Sequence, residues 1–171
     1  ASFLHELAHR YGGDQVCTVG KFDVHPNLVN VVAARVTMTL DVRNTDEGLL
    51  QRAEAEILDH VSTLEKSFGV SITLRPLARF EPVEFDDEVI ALIEEICHDV
   101  TPLTMRMPSG AGHDAQMLAR VCPTAMIFVP SHDGISHNPA EHTDDADLEN
   151  GANVLLRAML ALANHDFEGR S

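Results

Sequence analysis

At 171 residues, 44% of them hydrophobic, the chain is long enough for one domain or two small ones with cores of their own. With 12 Lys and Arg against 27 Asp and Glu, its formal charge of -15 repels phosphate backbones and anionic membrane surfaces, which argues against nucleic acid or lipid as a partner. No apolar run reaches the length of a membrane-spanning helix, and Cys17, Cys97 and Cys122 are spaced like free thiols in a reducing compartment, so a cytoplasmic location is expected.

Residues 1–10 read as a helix: Leu4, Leu7 and Ala8 share a face, and Gly12-Gly13 is a stop signal. A helix that opens the chain with no cap or strand before it is expected of a chain entered partway through a fold. Residues 15–24 alternate loosely and are rich in β-formers, Pro26-Asn27 interrupts them, and Val31-Val32 resumes the pattern. Over 34–42 the alternation is clean, with Ala34, Val36, Met38, Leu40 and Val42 on one face of a half-buried strand.

Asn44 followed by Glu47 three residues later is a helix start. That helix is predicted to run to about Phe68, with Leu49, Leu50, Ala53, Ile57, Val61 and Leu64 inward and Gly69 ending it. Residues 70–77 are predicted as a further strand. Residues 1–80 thus read as helix, strand, strand, helix, strand, which with one more strand upstream makes a split βαβ, ferredoxin-like α+β domain.

Pro82 and the acidic run from Glu84 to Glu88 mark a boundary, so 1–80 and 81–171 are taken as two domains. The second is predicted as α/β. An amphipathic helix spans 86–98, a loop spans 104–114, a short helix runs through Leu118, and 124–129 form a strand buried on both faces. A polar loop over 130–143 leads to a closing helix over 144–163, expected to turn Leu148, Ala152, Leu155, Leu156, Met159 and Leu162 inward.

Two loops carry chemistry-bearing residues. The first reads Pro108-Ser109-Gly110-Ala111-Gly112-His113-Asp114-Ala115. Its glycines allow backbone to approach a ligand, and the following helix offers N–H groups to an anion or oxyanion; the plainer reading is a loop with an Asp cap. The second, from Pro130 to Thr143, follows the expected buried strand, where α/β proteins place catalytic loops. His137 beside Asn138-Pro139 sits on a rigid turn suited to fixing a metal ligand, though the loop also reads as a polar surface segment leading into the last helix.

Together, Ser109-Gly110-Ala111-Gly112-His113-Asp114-Ala115 and Ile135-Ser136-His137-Asn138-Pro139-Ala140-Glu141-His142-Thr143 closely resemble the hydantoinase/carbamoylase family of amidases, within the aminoacylase/carboxypeptidase superfamily of two-metal hydrolases. Asn30-Val31-Val32 followed by Leu40-Asp41-Val42-Arg43 resembles that family's smaller domain, and the likeness covers roughly residues 12–164.

The resemblance implies that 1–80 are a lid and dimerisation domain and 81–171 the last portion of a catalytic domain. It makes His137 a zinc or manganese ligand. Asn30 and Arg43 become a pair that holds the substrate carboxylate and reaches into a neighbouring subunit's site; a guanidinium suits that task because it donates two parallel hydrogen bonds. Gly110, Ala111 and Gly112 would line the substrate pocket, and His113 would stand near the metals in a role the resemblance leaves open. Asn30 and Arg43 lie 13 residues apart, roughly 40 Å along an extended strand. The chain is therefore expected to reverse near Ala33-Ala34, where the family carries Pro or Gly and this chain does not.

The implied reaction is metal-assisted hydrolysis of a linear carbamoyl or amide C–N bond in N-carbamoyl amino acids or related ureido acids. The family's other metal ligands and its Glu base precede the lid, and no position here matches them. The chain is therefore expected to be a C-terminal fragment, silent by itself, whose partners are the ureido substrate, the missing N-terminal half and a second copy joined through the lid. Two alternatives remain: a non-catalytic dimerisation or small-ligand module derived from the same family, and a dipeptidase of the superfamily, whose loops would not usually carry both motifs.

Overall fold

The computed structural model describes residues 1–164; the last seven residues of the expected second domain, 165–171, lie outside the described residues. The chain divides into two compact units, one ending at Pro82 and one starting at Val83.

The first unit is built on an antiparallel ribbon. Helix α1 (Ser2–Tyr11) leads into β1 (Val16–His25), which pairs with β2 (Arg35–Arg43), and α2 (Glu47–Phe68) follows. Leu4 and Leu7 of α1 meet Ala53 and Ile57 of α2, and Cys17, Val19, Leu40 and Val42 pack against them from the ribbon. These are the positions that helical and strand periodicity point inward, so the hydrophobic pattern accounts for this core. One register shift, between Val19 and Lys21, leaves Gly20 as an extra residue on β1. Helix α2 ends as expected at Gly69, which is left-handed at φ 63°.

Three expectations for this unit need correction. The helix cap is Asp46, whose side chain accepts from Leu49 N at 2.7 Å, while Asn44 Oδ1 takes Asp46 N at 2.9 Å one step earlier. Val31-Val32 does not resume a strand: 26–34 form the loop that joins β1 to β2, closed by Ala34 N donating to His25 O at 2.9 Å. The reversal expected at Ala33-Ala34 is thus spread over that whole loop. Nor do residues 70–77 form a strand. Ile72 N donates instead to Glu65 Oε1 of α2 at 2.8 Å, and further on the Arg79 side chain pairs with Glu47 and Glu54 at 2.6 and 2.7 Å. A strand requires a partner edge, and among the described residues β1 and β2 pair only with each other.

In the second unit α3 (Asp87–Val100) packs on α5 (Asp145–Ala163), with the single turn α4 (Ala115–Leu118) between them in sequence. Asp86 caps α3 by accepting from Glu88 N and Val89 N at 3.0 and 3.1 Å. Residues 124–129 are mostly half-buried but form no strand among the described residues, again for want of a ladder partner; Thr124 O accepts instead from Asp86 N.

The closing helix forms where predicted, but its inward face is a different one. Val154 and Ala158 are buried, whereas Leu155, Leu156 and Met159 are 52%, 56% and 61% exposed. Gly151 explains the choice: a Cβ there would lie 2.4 Å from Val129 Cγ1, so the face of small residues lets α5 approach this segment more closely than a leucine face could. Among its described residues the first unit holds two strands and two helices.

Candidate active site

In the first unit Arg43 ends β2. Its guanidinium grips Asp41 with two nitrogens, Nε donating to Oδ1 at 2.8 Å and Nη2 to Oδ2 at 2.5 Å. This is the fork geometry that a bound carboxylate would use. The hydrogen bonds from Arg43 hold the Asp41 carboxyl below the ordinary carboxylate range, outweighing the opposing effect of partial burial.

Behind Arg43 sits Gln15, 7% exposed. Its Nε2 donates to Arg43 O at 3.0 Å, and its Oε1 accepts from Asn44 Nδ2 at 3.0 Å. A buried amide so engaged fixes the backbone from which Arg43 projects. Asn30 lies in the exposed 26–34 loop, beyond the other end of β2. The nine residues of β2, about 26 Å end to end, lie between that loop and Arg43. A carboxylate held by both would need the loop to fold back along the strand.

In the second unit the glycine loop has an unexpected organiser. Ala115 N donates to His113 Nδ1 at 3.0 Å, so the imidazole caps the short helix while Asp114 makes no side-chain cap bond. A neutral imidazole that accepts at Nδ1 carries its proton on Nε2. His113 therefore offers an N–H, not a lone pair, to whatever approaches its outer edge. The expectation that the following helix offers free N–H groups to an anion is corrected accordingly: α4 has four residues, and the N–H of its first residue is taken. A Cβ at Gly110 or Gly112 would meet nothing within 4 Å, and neither glycine is left-handed. The chain's own packing does not require glycine there, and the open space is of the kind a ligand could use to reach the backbone.

His137 adopts φ 56°, a left-handed conformation that is uncommon outside glycine. The turn that holds it is closed on both sides: Glu141 Oε2 accepts from His137 N at 2.8 Å, Asn138 Oδ1 from Ala140 N at 2.9 Å, and Asn138 O from Glu141 N at 2.9 Å. Its imidazole is exposed, and among the described residues no group of three or more His, Cys, Asp and Glu could hold a metal ion. One imidazole does not fit a catalytic metal, which requires three protein ligands with an open position. A cleft of about 510 Å³ elsewhere in this unit is lined by Asp86, Glu88, Cys122 and Thr124, among others, and by none of the predicted site residues.

Asp41, Gln15 and Glu141 were not singled out by sequence reasoning. Asp41 and Glu141 carried a usable signal, an acid two residues from Arg43 on the same strand face and an acid four residues after His137. Gln15 carried none, because a buried amide looks like any surface Gln in a sequence.

Comparison with known proteins places this chain among hydrolases. The model of peptidase family M20/M25/M40 matches residues 7–161, and the chain belongs to that family. Allantoate amidohydrolase of Escherichia coli is 39% identical over 158 residues, 92% of this chain and 38% of that enzyme. N-carbamoyl-L-amino acid amidohydrolase of Geobacillus stearothermophilus is 36% identical over 160 residues, 94% of this chain and 39% of that enzyme. Among solved structures, a hydantoinase/carbamoylase family amidase from Burkholderia vietnamiensis superposes with a TM-score of 0.89 at 36% identity, covering 96% of this chain and 40% of that one. The chain thus spans about two fifths of the length of the relatives it matches.

Proposed function

We propose that this chain supplies the lid and the C-terminal part of the catalytic domain of an amidase of the hydantoinase/carbamoylase type, acting on a linear carbamoyl or amide bond of N-carbamoyl amino acids or related ureido acids. In this reading residues 1–80 are the lid, ferredoxin-like in the whole protein and the means of homodimerisation, and 81–171 belong to the catalytic domain. The observation that carries it is the pair of loops in the second unit, where His113 is held as an N–H donor and His137 is fixed on a closed turn.

Arg43, aimed by Gln15, takes the substrate carboxylate in the neighbouring subunit's site, with Asp41 as the partner that the substrate displaces. Asn30 adds a second hydrogen bond to that carboxylate once the 26–34 loop folds back along the strand. Gly110, Ala111 and Gly112 line the pocket. His113 donates from Nε2 to the carbonyl oxygen as charge develops on it. His137 is the chain's ligand for zinc or manganese. Because the described residues add no second and third ligand, a working metal centre would need ligands from the rest of the enzyme, and the chain alone is catalytically silent. A cytoplasmic setting suits its free thiols.

A chimera tests this, with the chain replacing the matching 38% of the E. coli allantoate amidohydrolase. Release of ammonia from N-carbamoyl-L-amino acids or allantoate, abolished by His137→Ala and sharply reduced by Arg43→Ala, is the expected outcome. A folded, metal-loaded chimera that cleaves dipeptides and no ureido substrate would overturn the reading.

A further inference from the structure

Among the described residues, two histidines outside both loops stand side by side. On α1 the run His5-Glu6-Leu7-Ala8-His9 has H-E-x-x-H spacing. Residues four apart on a helix are neighbours on one face, and the two imidazoles are in contact, with ring centroids 4.3 Å apart and planes at 78°. The amphipathic pattern decides which way they look: Leu4 and Leu7 are buried in the core, leaving His5, Glu6 and His9 exposed. Placement of His9 in the last helical turn favours a cation there. That accounts for one histidine of the pair and not for His5, a full turn earlier.

We propose that His5 and His9 form a two-imidazole chelate for a borderline divalent cation, Cu²⁺, Ni²⁺ or Zn²⁺, independent of the His137 loop. Neutral imidazole is the commonest side-chain ligand for such ions. Once one ring has bound, the helix holds the second at high effective concentration. An imidazole pair without a carboxylate cluster selects these ions over Mg²⁺ and Ca²⁺. In zinc peptidases the same spacing becomes catalytic when a third protein ligand completes the site and the Glu acts as base. No such group of three exists among the described residues, so the assignment is to binding and not to a second reaction centre.

The test is calorimetric titration of CuCl₂, NiCl₂ and ZnCl₂ into the full chain and into His5→Gln, His9→Gln, the double variant and His137→Ala. Gln is at least as good a helix former as His, so α1 is expected to persist, checked by far-ultraviolet circular dichroism. One tight equivalent is expected, Cu²⁺ binding more strongly than Ni²⁺ or Zn²⁺. Either single substitution weakens it on the order of tenfold to a hundredfold, the double adds little further, and His137→Ala leaves it unchanged. Binding that survives both single substitutions, or that disappears in His137→Ala, overturns the proposal. So does additive loss in the double variant, which would mean two independent imidazoles.

Discussion

The two units are made by the same rules of helix patterning, but their helices differ in which face they bury. In the first, the apolar faces of α1, α2 and the ribbon meet, and Leu7 is fully buried. In the second, α5 buries Val154 and Ala158 against its neighbours and leaves its larger residues Leu155, Leu156 and Met159 mostly in solvent. An apolar stripe says that a helix has something to bury, not which stripe the rest of the chain will cover. Where two stripes compete, the one that permits closer approach can win even though it is the less hydrophobic.

That contrast can be broken most directly at its extremes. Leu7→Ala is expected to cost about 2–5 kcal/mol in chemical denaturation, whereas Leu156→Ala should fall within about 0.5 kcal/mol of the parent. Equal losses would mean that the α5 leucines are buried in solution.

A smaller effect sharpens the account of how α5 is seated. Gly151→Ala ordinarily favours a helix by up to about 1 kcal/mol, but the crowding against Val129 should turn this into a net loss of about 1–3 kcal/mol. Adding Val129→Ala should recover part of it, and a stabilised single variant would rule out the close approach.

The smallest difference lies at the helix starts. Asp46→Ala removes a side-chain cap and should cost about 1 kcal/mol. Asp144→Ala, at the start of α5, removes no cap bond and should shift the denaturation midpoint scarcely at all.

Much of the fold was legible because helices are local. α1, α2, α3 and α5 begin and end within a few residues of where caps, glycines and periodicity place them. The ribbon was legible in β2, where alternation is clean, and β1 followed from its β-formers. The expected strands at 70–77 and 124–129 were not legible in the same sense, since an extended apolar segment becomes a strand only if another edge is there to pair with it. At the candidate site the residue types and their loops could be read from motifs. Their hydrogen-bonding states could not: that His113 Nδ1 is occupied and that Arg43 already holds a carboxylate both depend on backbone geometry.

Gly20 shows how one residue can change the meaning of those around it. Before it the core-side residues of β1 carry odd numbers, Cys17 and Val19; after it Phe22 and Val24 stand on that side, facing Met38 and Val36 in line with Leu40 and Val42. The extra residue works as a phase shift. It joins two segments written in opposite parity into one continuous stripe, which is why the sequence of β1 looks irregular while the sheet it builds is not. Pair Gly20 as an ordinary ladder residue and the base of the ribbon would keep its sides, while Lys21 and Asp23 would take over the face now held by Phe22 and Val24.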